Sequence, residues 1–590
     1  MLGLLLAARL AFSSVHVPTS HLVVGLKHSA AALAALDRTV AAVSTFGTPT
    51  YGHYVSPEQL DEMLRPSPNA VKAVRSWLGD VVGCALVDDG ARFAHTLRCR
   101  LEPSYVATTR PPTPPHAVQL LLDFVVLEAP RRDAVGASLR SRLPAAFSSG
   151  VTPTQARAQY GLPEATRGGG VNSTTSQMVW GPGTFGFLRS DLSSFYTQYC
   201  PDCKVGSGDG TDLLSYDTAN EGKPGGDNFD EGTLDATYIS TFGKGVRTIV
   251  SNTNTSTATE EGEGQGIATL LFMEELVARP AATLPTVLSL SLGSLSSHAC
   301  ADLCAKVAQE SSGSISPKSC HDFLQSKRQL CLYLNDQQTE RINTQLKMLA
   351  TRGVTVLSAS GDGGSHFTFG KFNPLDGDIA IALNKVGCVQ QSDLFPAASP
   401  WVLAIGGTMW PNGDPAAVEG WSDRSGASGG GFSEQWAMPS YQSAVVAAYL
   451  AKQSGKAGFA VQGTYNASNR AYPDVSAFMD GIPLCTNGHC SASISGGTSA
   501  STPTWGGIIS LLNEARIANG GLPPLGLVGP RIWAMASAGH ANEAFRDVTK
   551  GNTNCGCDNG YVASEGWDLM TGWGEPKWKG LLKYLGTDSE

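Results

Sequence analysis

Residues 354–364 read VTVLSASGDGG, an apolar run that breaks into small residues around one acid, Asp362. The stretch before it, Gln337 to Thr351, carries helical periodicity, and VLSLSLG, residues 287–293, is a second apolar run of strand length. Strands alternating with helices imply a parallel sheet with helices on its faces, whose ligands sit at the carboxyl ends of the strands. Two turns of chemical interest fall at such ends, Ser360–Gly364 among them. An acid among glycines after a buried strand is a turn former or an active-site group, and this segment alone leaves the two even.

Working outward, the N-terminal part has a different character. From His21 it reads as a strand (LVVGL), an Ala-rich helix from Ala30 to Ser44, and a helix opened by the capping box Ser56-Pro57-Glu58-Gln59. Val71, Val74 and Leu78 give a third helix its apolar face, and strands are expected near Ala91–Leu97 and Val118–Leu127. This is an α+β unit of its own, and the small-residue stretch Pro144–Gly150 reads as an exposed linker open to proteolysis. At 590 residues the chain exceeds one ordinary core, so at least two domains are expected. Residues 298–332, with Cys300, Cys304, Cys320 and Cys331, look like an inserted, disulfide-tied excursion.

A formal net charge of -9 and no basic cluster argue against a nucleic-acid ligand. Thirteen cysteines without paired C-x-x-C units point to disulfides in an oxidising compartment rather than a zinc site; Cys200 and Cys203 form one lone C-x-x-C. Sequons at Asn172, Asn254 and Asn466 agree with secretion, and residues 1–17, with LGLLLAA and LAF, read as a signal peptide. No other uninterrupted apolar stretch reaches membrane-spanning length, so no membrane span is expected.

Ser495–Pro503, SGGTSASTP, precedes the apolar-periodic helix of Trp505, Ile508, Ile509, Leu511 and Leu512. Small residues admit a substrate backbone, Pro503 suits a first helical turn, and Ser499 falls where a helix N-terminus favours developing negative charge. A bare G-T-S would more often be a flexible loop; the full motif before a helix is far more specific. None of the eleven histidines is followed by Gly-Thr, the setting in which a subtilisin holds its base. Glu231-Gly232-Thr233-Leu234-Asp235 instead puts two carboxylates on one helix face, a spacing that is usually a solvated surface when it stands alone.

E-x-x-L-D, S-G-D-x-G and G-T-S-A-S-x-P, in this order, resemble the sedolisins, serine-carboxyl peptidases with a subtilisin-like fold. The likeness continues through GVTP (150–153), FPAASP (395–400), GGT (406–408), SGGGFS (428–433), YNASNRAYPD (465–474) and DLMTGWG (568–574). It is strongest to the lysosomal, tripeptide-releasing branch and covers the chain from about residue 20. The resemblance implies a doubly wound α/β peptidase domain from residue 147 to 590, preceded by an inhibitory prodomain over 18–146 that the enzyme itself removes. It makes Ser499 the nucleophile, Glu231 the general base and acid, Asp235 its orienting partner and Asp362 the oxyanion-hole acid. Glu231 must be ionised to act and Asp362 protonated to donate, demands that acidic pH reconciles. Ser291 and Gly293 would pair with the substrate backbone, and Ser428, Gly429 and Gly430 would form the facing wall.

The resemblance also implies one structural Ca2+ held by Asp547 and Asp568 with carbonyls of Val548, Ser564 and Gly566, and a destination in the lysosome, vacuole or exterior. Ser564 replaces a glycine of the pattern, which matters only if that position needs φ > 0. Substrates would be peptides or unfolded proteins. Cys84 and Cys99 would pair within the prodomain, leaving eleven cysteines, so that one is free or partnered elsewhere. Cys555, Cys557 and the 298–332 insertion depart from the pattern. An endopeptidase of the same family and an inactive binding homologue are the rival readings; the four filled catalytic positions disfavour the second.

Overall fold

The computed structural model describes residues 21–87, 95–101, 112–128, 150–163, 175–205, 210–217, 224–226, 228–252, 264–325, 331, 334–366, 377–422, 426–518 and 520–588. The expected signal peptide, the linker up to Ser149 and the sequons at Asn172 and Asn254 lie outside them.

In the N-terminal unit, β1 (His21–Leu26) lies between β3 (Thr96–Arg100) and β4 (Leu122–Glu128), with β2 (Ala85–Leu86) on the far side of β3, all antiparallel. Ser29 caps the helix Ala30–Ser44, and Ser56 with Gln59 completes the expected capping box. Of the strand expected near Ala91–Leu97, residues 91–94 lie outside the described set, and β3 runs from Thr96. The segment expected as a strand from Val118 needs correction, since it opens as the helical turn His116–Gln119. Pro115 stands at that turn's N-cap, where its missing amide breaks nothing and its fixed φ favours the helical start.

The larger unit is built on a twisted sheet of seven parallel strands: β5 (Ser176–Trp180), β6 (Leu214–Tyr216), β7 (Arg247–Ser251), β8 (Val287–Leu290), β9 (Thr355–Ala359), β10 (Leu403–Met409) and β14 (Val475–Phe478). The spatial order is β14-β10-β9-β8-β5-β7-β6, with the short β11 (Glu419–Gly420) antiparallel beside β10. The chain leaves β5 towards β6 on one side and leaves the adjacent β8 towards β9 on the other, so the crevice between the loops after β5 and β8 is a topological switch point, where α/β sheets bind ligands. Two further strands, β12 (Gly431–Ala437) and β13 (Asn469–Tyr472), form a separate antiparallel pair.

The two units share a core. Val23, Leu36, Leu60 and Phe124 of the N-terminal unit pack in one buried cluster with Leu271, Ile342 and Leu346 from the helices Gly264–Ala278 and Asp336–Thr351. Within this interface Arg341, fully buried, meets Glu274 (2.5 Å), Asp123 (3.0 Å), the Leu26 carbonyl (3.1 Å) and His28 Nε2 (2.9 Å). His95 packs edge-on against His28, with ring centroids 4.6 Å apart, and lies 3.6 Å from Glu274.

Six disulfides form: Cys84–Cys99, Cys200–Cys203, Cys300–Cys331, Cys304–Cys320, Cys388–Cys557 and Cys485–Cys490. The expected prodomain pair and the doubly tied insertion are both present, and Cys555 is buried. The insertion folds as two helices, Ser297–Glu310 and Pro317–Gln325. Among the described residues, no helix is long and apolar enough to cross a membrane.

Candidate active site

The chain leaves β14 at Phe478, turns through the hairpin of β15 (Asp480–Thr486) and β16 (His489–Ser495), and returns where it left. Asp480 faces Ser495, and the Gly496 amide donates to the Met479 carbonyl at 2.9 Å. The helix Gly497–Ala518 therefore starts beside the carboxyl end of β14, and Ser499 lies in its first turn, among backbone amides without intrahelical acceptors. Starting at Gly497, this helix carries Pro503 in its second turn rather than the first, contrary to expectation.

Gly497 begins the helix at φ +65°, and a Cβ there would lie 2.2 Å from Asp362 Oδ2. Asp362 follows β9, and its Oδ1 accepts both the Thr498 amide and the Thr498 hydroxyl at 2.8 Å. The Gly361 amide donates to the same hydroxyl at 3.2 Å. One carboxyl oxygen is thus fixed to the first turn of the Ser499 helix. Thr498 has no part in the sequence reading, although its place beside the serine was the available signal.

Glu231 and Asp235 stand on the helix Phe229–Phe242, which enters from β6 and points its N-terminus at the same edge of the sheet. They are not a solvated face. Asp235 is fully buried, because this helix meets the Ser499 helix backbone to backbone: a Cβ on Gly507 would sit 2.3 Å from the Gly243 amide nitrogen. Burial, reinforced by the charge of Asp362, pushes the Glu231 carboxyl up to about 7, although the nearby Ser499 hydroxyl pulls the other way. Burial and then the charge of Glu231 hold Asp235 well above the carboxylate range. The pair thus favours one charge rather than two.

The tip of the hairpin grips the residue next to Glu231. Thr486 Oγ1 and Asn487 Nδ2 both donate to Asp230 Oδ1 at 2.6 Å, Tyr238 donates to the Pro483 carbonyl, and Cys485–Cys490 ties the two strands.

Ser291, immediately after β8, donates from Oγ to the Ser499 carbonyl at 3.1 Å, and Ser499 Oγ donates back to the Ser291 carbonyl at 3.4 Å. Gly293 abuts the Leu394 side chain, which also approaches Gly361; Leu394, missed in the sequence, thus flanks both the strand and the acid. Ser428 is fully buried, its hydroxyl donating to the Met570 carbonyl at 2.8 Å and accepting from the Gly407 amide at 2.9 Å. Gly429 and Gly430 are buried against the backbones of Ser360 and Leu569. The structure thus brings Ser499, Glu231, Asp235, Asp362 and Ser291 together, with Ser428–Gly430 forming packed wall beneath.

Away from this centre, Asp547 Oδ2 accepts the Gly566 amide and Asp568 Oδ2 the Ser564 amide, both at 2.9 Å, while Asp568 Oδ1 accepts the amides of Met570 and Thr571. Asp547 Oδ1 is buried with no hydrogen-bond partner, and burial pushes Asp568 up to about 7, with the Asp547 charge adding to it. Two carboxylates held together with an unsatisfied oxygen fit a hard cation. Ser564 is not among the residues with positive φ, so its side chain is no obstacle.

A family model described as Pro-kumamolisin, activation domain, matches residues 16–81. Tripeptidyl-peptidase 1 of Bos taurus is 30% identical over 581 residues, 93% of this chain and 89% of that one. The Homo sapiens counterpart is 29% identical over the same shares. Among solved structures, Pseudomonas sedolisin, a serine-carboxyl proteinase complexed with two molecules of pseudo-iodotyrostatin, matches 75% of this chain and 100% of its own, at 20% identity and a TM-score of 0.49.

Proposed function

As the chain belongs to the sedolisin family of serine-carboxyl peptidases, we propose that it is a zymogen whose mature form releases tripeptides from free peptide N-termini at acidic pH. The observation that carries the chemistry is the Asp362 carboxyl anchored by Thr498, the residue before Ser499, at a helix N-terminus, with the Glu231 carboxyl near enough to feel both the Ser499 hydroxyl and the Asp362 charge. Protonation of Asp362 removes one of the charges that raise Glu231 and so favours its ionisation; ionised Glu231 takes the Ser499 proton as Oγ attacks the scissile carbonyl. Protonated Asp362 then donates from Oδ2 to the oxyanion, where a fixed donor is worth most. Glu231 returns its proton to the leaving amine, and water releases the acyl group by the reverse sequence. Asp235, kept protonated by burial, stands beside Glu231 without adding a second charge.

Tripeptide release is supported by the likeness to tripeptidyl-peptidase 1 along 93% of the chain. The inserted helices favour the endopeptidase alternative at one point: Leu295, just beyond the Ser291–Gly293 strand, bridges to Cys331, so the insertion borders the cleft. Ser291 and Gly293 suit backbone pairing with substrate, with Ser428, Gly429 and Gly430 as the wall behind. Asp547, Asp568 and carbonyls of Val548, Ser564 and Gly566 would hold one Ca2+, which would brace this part of the fold. The sequons and disulfides support passage through the secretory pathway to a lysosome, vacuole or the exterior.

The test is to acidify purified precursor and sequence both its new N-terminus, expected near residue 147, and its peptide products. Uniform tripeptides, suppressed by N-acetylation of the substrate, support the proposal. Equal cleavage of acetylated and free peptides means an endopeptidase, and a Ser499→Ala precursor that matures alone refutes autocatalysis.

A further inference from the structure

A proline in the second turn of a helix removes the amide that would bond the carbonyl four residues earlier. For Pro503 that carbonyl belongs to Ser499. Neighbouring carbonyls are reinforced from within the helix: Thr502 Oγ1 donates to Thr498 O at 2.8 Å and Thr504 Oγ1 to Ala500 O at 2.9 Å. The Ser499 carbonyl is met instead from across the sheet, by Ser291 Oγ at 3.1 Å.

We propose that Ser291 is a positioning residue for the nucleophile, its hydroxyl replacing the helix hydrogen bond that Pro503 deletes and so fixing the turn that carries Ser499. This rests on Ser499 being the nucleophile. It differs from the part in substrate pairing given to Ser291 above, which needs only backbone.

The energetics favour a real constraint. A carbonyl buried in a helix without its donor is unfavourable, and the turn around it is free to shift. Ser291 also faces Asp235; a buried, protonated Asp235 can donate to Ser291 Oγ, which keeps the hydroxyl's one proton for the Ser499 carbonyl 3.1 Å away. Because Ser291 directly follows β8, the bond ties the nucleophile to a strand buried between β5 and β9 rather than to a loop. Small displacements of a nucleophile are costly, since attack requires contact distance and alignment.

The experiment is a double-mutant cycle on acid-matured enzyme, with activity expressed per active site titrated with a serine-reactive phosphonate, so that misfolded protein does not count. Ser291→Ala should lower kcat about tenfold, the scale of one lost hydrogen bond, with KM within about twofold, and Ser291→Thr should restore most of it. Pro503→Ala supplies the missing amide, so Ser291→Ala in that background should lose much less. An equal loss in both backgrounds overturns the proposal, as does a rise in KM with kcat unchanged, which would mark a substrate contact. If Ser499→Ala keeps its activity or wild type takes no label, the nucleophile assignment itself fails, an outcome distinct from either.

Discussion

His28 of the N-terminal unit accepts a hydrogen bond from Arg341 of the peptidase unit, with Nε2 2.9 Å from Nη1 in a buried interface. Arginine can only donate, so this imidazole must be neutral when docked. Burial and the Arg341 charge push His28 from 6.5 to about 2, and burial lowers His95 beside it. The docked state therefore binds the proton less readily than the free one. Docking is strongest above pH 6.5 and weakens as pH falls from there towards 2, by up to about tenfold per unit. Glu274 stays ionised, and Asp123, raised by burial, opposes the trend by taking up a proton when docked. His28→Gln keeps an acceptor for Arg341 without a titrating ring, so maturation of that precursor should begin at lower pH. An unchanged pH dependence of maturation would remove His28 from the explanation.

Gly497→Ala should be nearly inactive while remaining folded. The new Cβ meets Asp362 Oδ2 at 2.2 Å in a backbone conformation unsuited to alanine, so the acid must move from the site it would serve. We expect a loss on the order of 10²-fold in kcat, approaching that for removal of one oxyanion donor. Steady-state kinetics alongside the melting temperature separates this from simple unfolding.

Asp362→Asn should retain more activity than Asp362→Ala, because it keeps a donor; Ala should lose on the order of 10²- to 10³-fold in kcat. Only the alkaline limb of the pH profile should move. Glu231 ionises while Asp362 is still protonated and uncharged, so replacing Asp362 by neutral Asn leaves the acid limb in place. The alkaline limb rises because Asn does not ionise. If both variants run near wild type, Asp362 is a turn residue.

Chelation should lower the melting temperature and activity of the wild type, since a ligand of the native state stabilises it by mass action. Asp547→Ala should show no further response to chelator. Metal analysis of active enzyme that finds no calcium would end the assignment.

Ser499 was legible from one contiguous stretch, because its motif precedes an apolar-periodic helix, whereas Asp362, three residues past β9 among glycines, read equally well as a turn former on its own. Glu231 and Asp235 were ambiguous because their spacing says only that they share a helix face, while their burial depends on a distant helix bringing Gly507 onto Gly243. Pro503 misled for a local reason. It is usual at a helix start, but Gly497 takes up a positive φ six residues earlier, and the helix begins there. The prolines before Val118 likewise made a helical turn where alternation suggested a strand. Contacts such as His28 with Arg341, or Ser291 with Ser499, join positions hundreds of residues apart, and no periodicity encodes them.

The hairpin 480–495 has a consequence for how this sequence can vary. Its base delivers the chain to Ser499 and its tip holds Asp230, so the span between them acts as a ruler laid between the first turn of the Ser499 helix and the residue next to Glu231. Surface loops ordinarily gain and lose residues freely. Much of β16 is solvent-exposed, yet lengthening this hairpin by even one register would pull its tip off Asp230 or displace the first turn of the Ser499 helix. Drift in composition is open to it; drift in length is not.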